Sequence, residues 1–501
     1  MYIKSLIIGL LGFLTLACTE DFDELSKDPV SLSPNPEGQM TFTQLSLSGD
    51  RYYQWRANLI YSGGFIQHYA GSWNVTTFGS FVAKNDDYAL SLWAQAYTNE
   101  LKNINDVINQ SEDDPEKSNL NAMAKIVRVM VMHRVTDMYG DVPYSEAASG
   151  IATPKYDTQE EIYTSFFADL ASAEAQLSTT DGGTVTSDVF YGGDVASWKK
   201  LANTLRLRLG MRISEANPTE AAIQVQAALT GGVFDSNADN CITKHDDTAF
   251  NTDGSVDDFR GNGLAQAFIG NAGGDRFSAM FINYLQDNAD PRLSVIATPR
   301  LNDENWGPID GADPLFAGVV VGNMGWQHPG GASAASGIQP VFASRNTPFL
   351  HVSYSEAQLL LAEAAQRGFI TGTPSTYYNA GVEAGIKQYE AYGTAAVDQA
   401  VIDAYLAANP LAAGTEIEQI SSQLWVTYLF NSVEAYANWR RTGFPVLDAR
   451  SPTLGETGGV VPLRLYYPNE ELLRNEASYL DAISRINGGE NDWLQPVWWD
   501  K

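Results

Sequence analysis

The sequence predicts a mainly α protein: a scaffold of helical hairpins around one large irregular, loop-rich region, with little β structure. Three observations carry this. Residues 118–147, SNLNAMAKIVRVMVMHRVTDMYGDVPYSEA, open as a helix that is apolar almost all round. Met123, Ile126, Val127, Val129, Met130, Val131 and Met132 leave it little polar face, so other helices must cover it on most sides. Amphipathic helical patterns flank it in pairs, before residue 230 and again after residue 350. Between those limits Gly, Asn, Asp and Pro dominate and helical periodicity mostly disappears.

Each element has its own signal. Residues 52–81 are dense in aromatics: Tyr52, Tyr53, Trp55, Tyr61, Phe65, Tyr69, Trp73, Phe78 and Phe81. The first part of this stretch reads as helix, and GSWNVTTFGS, with Gly71 and Gly79 at its edges, reads as a loop. From Asp87 to Gln110 the apolar residues Leu92, Trp93, Ala96, Tyr97, Ile104, Val107 and Ile108 recur at three and four, and SEDDPEK joins this helix to the central one. Gly140 stops the central helix and Pro143 prevents its resumption, leaving Tyr139, Asp141, Tyr144 and Glu146 on an ordered turn. Thr158 with Glu161 forms a capping box that opens a helix running to Leu177. Ser197 opens the next, with Trp198, Leu201, Leu205, Leu209 and Ile213 on one stripe, and Pro218 to Leu229 closes the first half. Arg206, Arg208 and Arg212 are the densest basic patch in the chain and read as a helix face paired with acidic neighbours. After the irregular region the helices are Ser353–Gly368, Ser375–Tyr392, Val397–Ala408 and Thr415–Arg441. Four helix pairs are visible in all. Their lengths are similar to those of tetratricopeptide (TPR) hairpins, without a repeated TPR signature, so the likeness is architectural.

Composition excludes several functions. Acidic residues outnumber basic ones 60 to 31 and the formal charge is −29, a surface that repels nucleic acid. The 11 Trp and 24 Tyr supply packing and, where exposed, flat platforms suited to sugars. The five histidines, His68, His133, His245, His328 and His351, include no two at helical ligand spacing. HExxH, CxxC and a GxSxG nucleophile elbow are absent, so no catalytic residue and no metal ligand set is assigned. A glycosidase needs two carboxylates placed by the fold, and nothing selects a pair among the 60 acids. Asn251-Thr252-Asp253-Gly254 is similar to the middle of an EF-hand, but Ala249 and Arg260 then fall at the two essential ends, where neither can ligate. Asp246, Asp247, Asp253, Asp257 and Asp258 remain as a solvated acidic loop, with an irregularly bound calcium ion as the alternative, and no cofactor is expected.

The N-terminus sets the compartment. Lys4 precedes the apolar run Leu6–Ala17, too short to span a bilayer and patterned as a secretory signal peptide. It ends in LTLAC. A Cys directly after a small residue resembles a bacterial lipobox, with Thr15 where a Leu is usual, so Cys18 is expected to be lipidated; a plain secretory leader is the alternative. Acyl chains contribute about 0.8 kcal/mol per buried CH₂ and so hold a protein on a membrane. The run Thr19-Glu20-Asp21-Phe22-Asp23-Glu24 follows at once and resembles a surface-export signal. With Cys18 acylated, Cys241 has no disulfide partner and reads as core packing.

Five segments then coincide in order: VTDMYGDVPYSEA, DPRL at 290–293, SEAQLLLAEAAQRG, EAYANWRRTGFP and PLRLYYPNEE. Together with the lipobox they resemble the SusD/RagB family of outer-membrane, nutrient-binding lipoproteins over nearly the whole chain. The resemblance implies a TPR-like scaffold with an irregular ligand-binding face. It implies a TonB-dependent SusC-type transporter as partner, an oligosaccharide or peptide as ligand, and no enzymatic activity. Trp439, Arg440, Arg441 and Arg464 match family positions with an implied scaffold role, Arg464 pairing a buried acid. The organisation implied is a signal peptide over 1–17, a lipidated tether and N-terminal wrap over 18–50, and one SusD-like domain over 51–501. Its scaffold covers about 51–229 and 351–450, and its insert about 230–350. A structural or adhesion lipoprotein without a small ligand is the alternative function, and a hydrolase a third. Ligand rings are expected on loops, because scaffold rings are needed for packing. Three tryptophans beside glycines meet that condition: Trp73, Trp306 and Trp326.

Overall fold

The computed structural model describes residues 35–247, 259–270, 276–299, 316–321, 335–453 and 455–500. Glu37–Lys501 is one compact unit. Cys18, Trp306, Trp326 and Asp253, Asp257 and Asp258 lie outside the described residues.

The segment assigned as tether and wrap contains helix α1, Pro36–Gly49, which buries Met40 and Leu47. Asp50 caps α2, which runs as Arg51–Tyr53 and continues as a π-wound stretch, Gln54–Gly63. Helix α3 spans Asp86–Gln95, a π-wound turn Ala96–Leu101, and Lys102–Ser111. It packs along α4, Ser118–Tyr139, which is buried over most of its length, as its all-round apolar sequence demands. Gly140 ends α4 with φ +83, a conformation glycine adopts without a Cβ penalty.

Helix α5, Gln159–Gln176, starts at the predicted Thr158/Glu161 capping box. Helix α6, Val195–Arg212, starts two residues before the expected Ser197: Asp194 is the cap, and its carboxylate accepts the Ser197 N–H. Helix α7, Pro218–Gly231, pairs with α6.

Where residues 230–350 are described, they are less irregular than their composition predicts. Among those residues are three short α-helices, α8 (Gly263–Gly270), α9 (Ala279–Asp287) and α10 (Arg292–Ile296). One or two turns bury only a few residues each, such as Phe281, Ile282 and Leu285 of α9, and so set up no period that a longer window can register.

The last layer comprises α11 (Tyr354–Gln366), α12 (Pro374–Lys387), α13 (Gln399–Ala408), α14 (Glu416–Thr427) and α15 (Ser432–Thr442), followed by α16 (Asn469–Arg474) and α17 (Glu476–Ser484). The single helix expected over Thr415–Arg441 is two. The apolar pattern runs on through the break, but distant side chains claim its carbonyls: Tyr69 Oη donates to Leu429 O at 3.0 Å and Asn58 Nδ2 to Phe430 O at 2.9 Å.

Among the described residues the paired strands form three short antiparallel pairs: β1 (Tyr69–Ala70) with β5 (Arg276–Phe277), β2 (Val142–Pro143) with β3 (Tyr156–Asp157), and β4 (Cys241–Thr243) with β6 (Phe349–Val352). The β4–β6 pair ties the two ends of the insert together, and β1–β5 ties its middle to the end of α2.

Buried charge joins the layers. Arg208 and Arg212 of α6 and His133 of α4 all meet Glu434 of α15. Arg208 also pairs with Glu356 of α11, and Arg212 with Asp137 of α4 at 2.7 Å. Asp137 further accepts from Tyr163 and from the indole of Trp499. Arg441 clamps Glu363, and Arg292 clamps Asp290. Two of the three arginines of the α6 patch, Arg208 and Arg212, therefore face acids, in the core rather than on a surface, whereas Arg206 donates to Gln224 Oε1. Among the described residues Arg464 pairs with no buried acid. Its guanidinium donates to the Tyr139 carbonyl and lies 4.6 Å from the Tyr467 ring centroid. The open carbonyls at a helix C-terminus carry partial negative charge, so the end of α4 does the work of an anion there.

Candidate functional site

The only predicted ligand ring among the described residues is Trp73, and it anchors a band of rings and arginines on the surface. Its segment is not the loop that its glycines suggest. Gly71, with φ +99, turns the chain out of β1. Ser72 then starts a helical turn, its hydroxyl accepting the Val75 N–H at 3.2 Å, and Val75–Ser80 winds as π-helix. Gly79 is present for a close crossing. A Cβ there would stand 2.5 Å from Ile60 O and 2.9 Å from Gly64 Cα, so this turn packs on α2 backbone to backbone. Trp73 is held at the outer end of that turn and is 56% exposed.

From Trp73 the rings continue inward and across. Trp73 meets Phe78 edge-on at 5.6 Å, and Phe78 meets Tyr88 at 4.8 Å. Tyr88 lies 6.3 Å from Trp55. The Arg56 guanidinium lies over three rings: Tyr52 at 3.7 Å, Trp55 at 5.3 Å and Tyr88 at 5.3 Å. Tyr52 is 54% exposed and forms the far end. Burial pushes the Tyr88 phenol up, against the lowering effect of Arg56, so it stays neutral and donates to Asn74 Oδ1.

The polar atoms of this band are underused. Arg56 Nε and Nη1, Arg51 Nε and the Trp55 indole N–H are buried and have no hydrogen-bond partner within the protein. Among the described residues neither Arg51 nor Arg56 forms an ion pair, in a chain with 60 acids. Buried donors are normally satisfied, so each exception calls for a partner from outside the protein, water or ligand. Exposed ring faces beside unspent donors suit a neutral ligand with apolar faces and acceptor oxygens. No catalytic base or nucleophile stands in the band. Among the described residues no group of three or more His, Cys, Asp or Glu converges as a metal site.

No ligand role was assigned to Tyr52, Arg56, Phe78 or Tyr88 from sequence. The signal was there: Tyr52, Trp55 and Arg56 stand at i, i+3 and i+4, which puts them on one helical face.

The insert approaches this band from two sides. Phe259 meets Phe42 at 5.2 Å, and the Gly263 backbone abuts Asp50 and Arg51. Val319 and Ala335 pack on Ala70, three residues before Trp73, and the Ala279 N–H donates to Val319 O at 2.8 Å.

The remaining buried groups are structural. His68 lies between Ser432 Oγ and Trp425 O, and burial lowers its pKa to about 3, which keeps it neutral. Burial pushes the Cys241 thiol up, and it lies in the core as expected.

Residues 40–468 match the profile of a SusD-like family described as starch-binding and associating with the outer membrane. A solved chitin-binding protein superposes with a TM-score of 0.87 at 57% identity, covering 93% of this chain and all of its own. A SusD-like protein of Bacteroidetes AC2a does so with a TM-score of 0.84 at 28% identity, covering 93% and 100%. A chitin-binding SusD homologue from Flavobacterium johnsoniae shares the fold, with a TM-score of 0.75 at 24% identity over 93% of this chain and 98% of its own. No curated protein matches. The buried charges described above fall on all five sequence segments that carried the resemblance, and with a family profile spanning most of its length the chain belongs to the SusD-like family.

Proposed function

We propose that the protein is a cell-surface lipoprotein, anchored through Cys18, that captures an oligosaccharide and passes it to a TonB-dependent SusC-type transporter in the outer membrane. The observation that carries this reading is the Trp73–Tyr52 band, with exposed ring faces beside arginine and indole donors that no protein group uses. Trp73 is the proposed stacking platform, with Trp306 and Trp326 as further candidate rings.

The 57% identical chitin-binding relative supports a chitin oligosaccharide as ligand. The chemistry agrees. An N-acetylated sugar is neutral, offers a C–H face for stacking, and brings carbonyl and hydroxyl oxygens to Arg56 and Trp55. The proposed role is binding without bond cleavage, since no acid–base pair accompanies the rings.

Calorimetry with a chitin hexamer and, separately, a starch-derived hexamer tests this. Chitin oligomer should bind, and Trp73→Ala should weaken it by about 2 kcal/mol, as loss of an interface anchor does. Binding of neither oligomer, or an unchanged affinity in the folded variant, overturns the reading.

A further inference from the structure

A cleft of about 520 Å³ opens elsewhere on the molecule, between α3, the loop joining β2 to β3, and α16. It shares no lining residue with the Trp73 band, and its size falls in the range of small-ligand pockets, ~300–1,000 Å³. One wall is aromatic: Trp93 and Tyr97 of α3, with centroids 4.9 Å apart. Tyr97 is locked by its hydroxyl, which donates to Pro143 O at 2.6 Å.

The opposite wall presents acceptors. Glu471 accepts from Tyr156 Oη at 2.8 Å, and burial holds its carboxyl above the usual carboxylate range, against hydrogen bonds from Tyr156 and Trp93. Asn475 gives its Nδ2 to Pro154 O at 2.7 Å and its backbone N–H to Glu471 O at 2.8 Å. Its Oδ1 is buried and has no partner, although the residue is only 4% exposed. At the lip, Ala148 is held at φ +58, a left-handed conformation uncommon for a residue with a Cβ. The strands of the hairpin pair through Val142–Asp157 and Pro143–Tyr156, away from both features. Strain and an unsatisfied buried acceptor in one cleft mark a place built for something else.

The chemistry of the lining narrows the occupant. Lys102 and Arg474 balance Asp106 and Glu471, so no net charge selects an ion. The unspent Asn475 Oδ1 calls for a ligand that brings a hydroxyl or amide hydrogen, and the ring wall calls for an apolar face.

We propose that this cleft is a second binding site, independent of the Trp73 band, for a short neutral saccharide of one or two units. It would hold a fragment rather than a polymer chain. Glu471 and Asn475 would accept from its hydroxyl or amide groups, and Arg474 would donate to its oxygens from the rim.

The test uses the full lipidated chain in a non-glycosidic detergent, with N,N′-diacetylchitobiose as probe, followed by calorimetry and by pelleting on insoluble chitin. Trp73→Ala should lose pelleting yet keep one disaccharide site. Ala152→Trp, which fills the cleft from an exposed position, should keep pelleting and lose that site. Arg474→Ala removes one charge-assisted hydrogen bond from the rim and should weaken the site roughly tenfold, with folding unchanged. The inference is overturned if Trp73→Ala abolishes all disaccharide binding. It is also overturned if Ala152→Trp, folded by circular dichroism, binds as its parent does, or if the cleft responds to a short peptide and not to the disaccharide. If the two variants instead separate as expected but Trp73→Ala still pellets on chitin, the Trp73 reading fails and the cleft stands.

Discussion

Glu434→Gln tests whether the buried charges hold the layers of this fold together. Glu434 receives Arg212 at 2.5 Å, His133 at 2.7 Å and Arg208 at 3.4 Å, and its side chain is 1% exposed. Burial alone would raise its pKa. The guanidiniums of Arg208 and Arg212, with His133, outweigh that and hold the carboxyl well below the usual range. The amide keeps the shape of the side chain but leaves two buried guanidiniums short of one negative charge. Removing one partner of a buried ion pair costs about 3–5 kcal/mol. At ~2.1 cal/mol/K per residue, a unit of this size has a melting entropy of about 1 kcal/mol/K, so the variant should melt about 4 °C lower.

The pH dependence follows from the direction of the shift. A carboxyl with a depressed folded pKa contributes its full stability above the unfolded value, ~4.3, and loses it as pH falls through the folded value. The gap in melting temperature between wild type and variant should therefore be constant above about pH 5 and narrow progressively as the pH falls below ~4. Differential scanning calorimetry from pH 7 to pH 3 reads both. A fall of less than about 1 °C at pH 7, or a gap that widens on acidification, would refute the reasoning.

Further outcomes are expected. Gly79→Ala should destabilise by about 1–3 kcal/mol and also weaken oligosaccharide binding, because its Cβ meets Ile60 O and Gly64 Cα and must displace the turn that carries Trp73. Thermal melting and calorimetry read the two effects. Arg56→Met, which keeps bulk but removes the unspent donors, should weaken chitin-oligomer binding by about 1.5–3 kcal/mol with little change in melting temperature. Cys18→Ser should lose the acyl mass and leave the membrane fraction, as mass spectrometry and fractionation would show; equal mass and equal retention would count against lipidation. From detergent-solubilised membranes the protein should copurify with a large outer-membrane β-barrel, through an interface above the ~1,600 Å² of standard complexes.

Much of the scaffold was legible because its signals are local. The all-round apolar run of α4, the Thr158/Glu161 box and the glycine stop at Gly140 lie within a few residues of the structure they cause. The segments that carried the family resemblance were legible for a related reason. Asp137, Asp290, Arg292, Glu356, Glu363, Glu434 and Arg441 are buried charges, and losing one partner of such a pair leaves the other uncompensated in the core. Those segments report the scaffold and leave the ligand surface unspecified.

Tertiary structure decided where these charges go and what the surface presents. Arg212 reads as one of three arginines on a helix, yet its partners lie 75 and 222 positions away. The break between α14 and α15 depends on Tyr69 and Asn58, more than 350 positions upstream. The Tyr52–Trp73 band needs Gly79 against Gly64 to bring two helical turns into contact, and the cleft beside Asn475 needs α3, a hairpin loop and α16 to meet. Periodicity and capping follow from the geometry of consecutive residues, so the sequence shows them directly. A site assembled from distant segments follows from which surfaces pack together, and that became visible only once the chain had closed on itself.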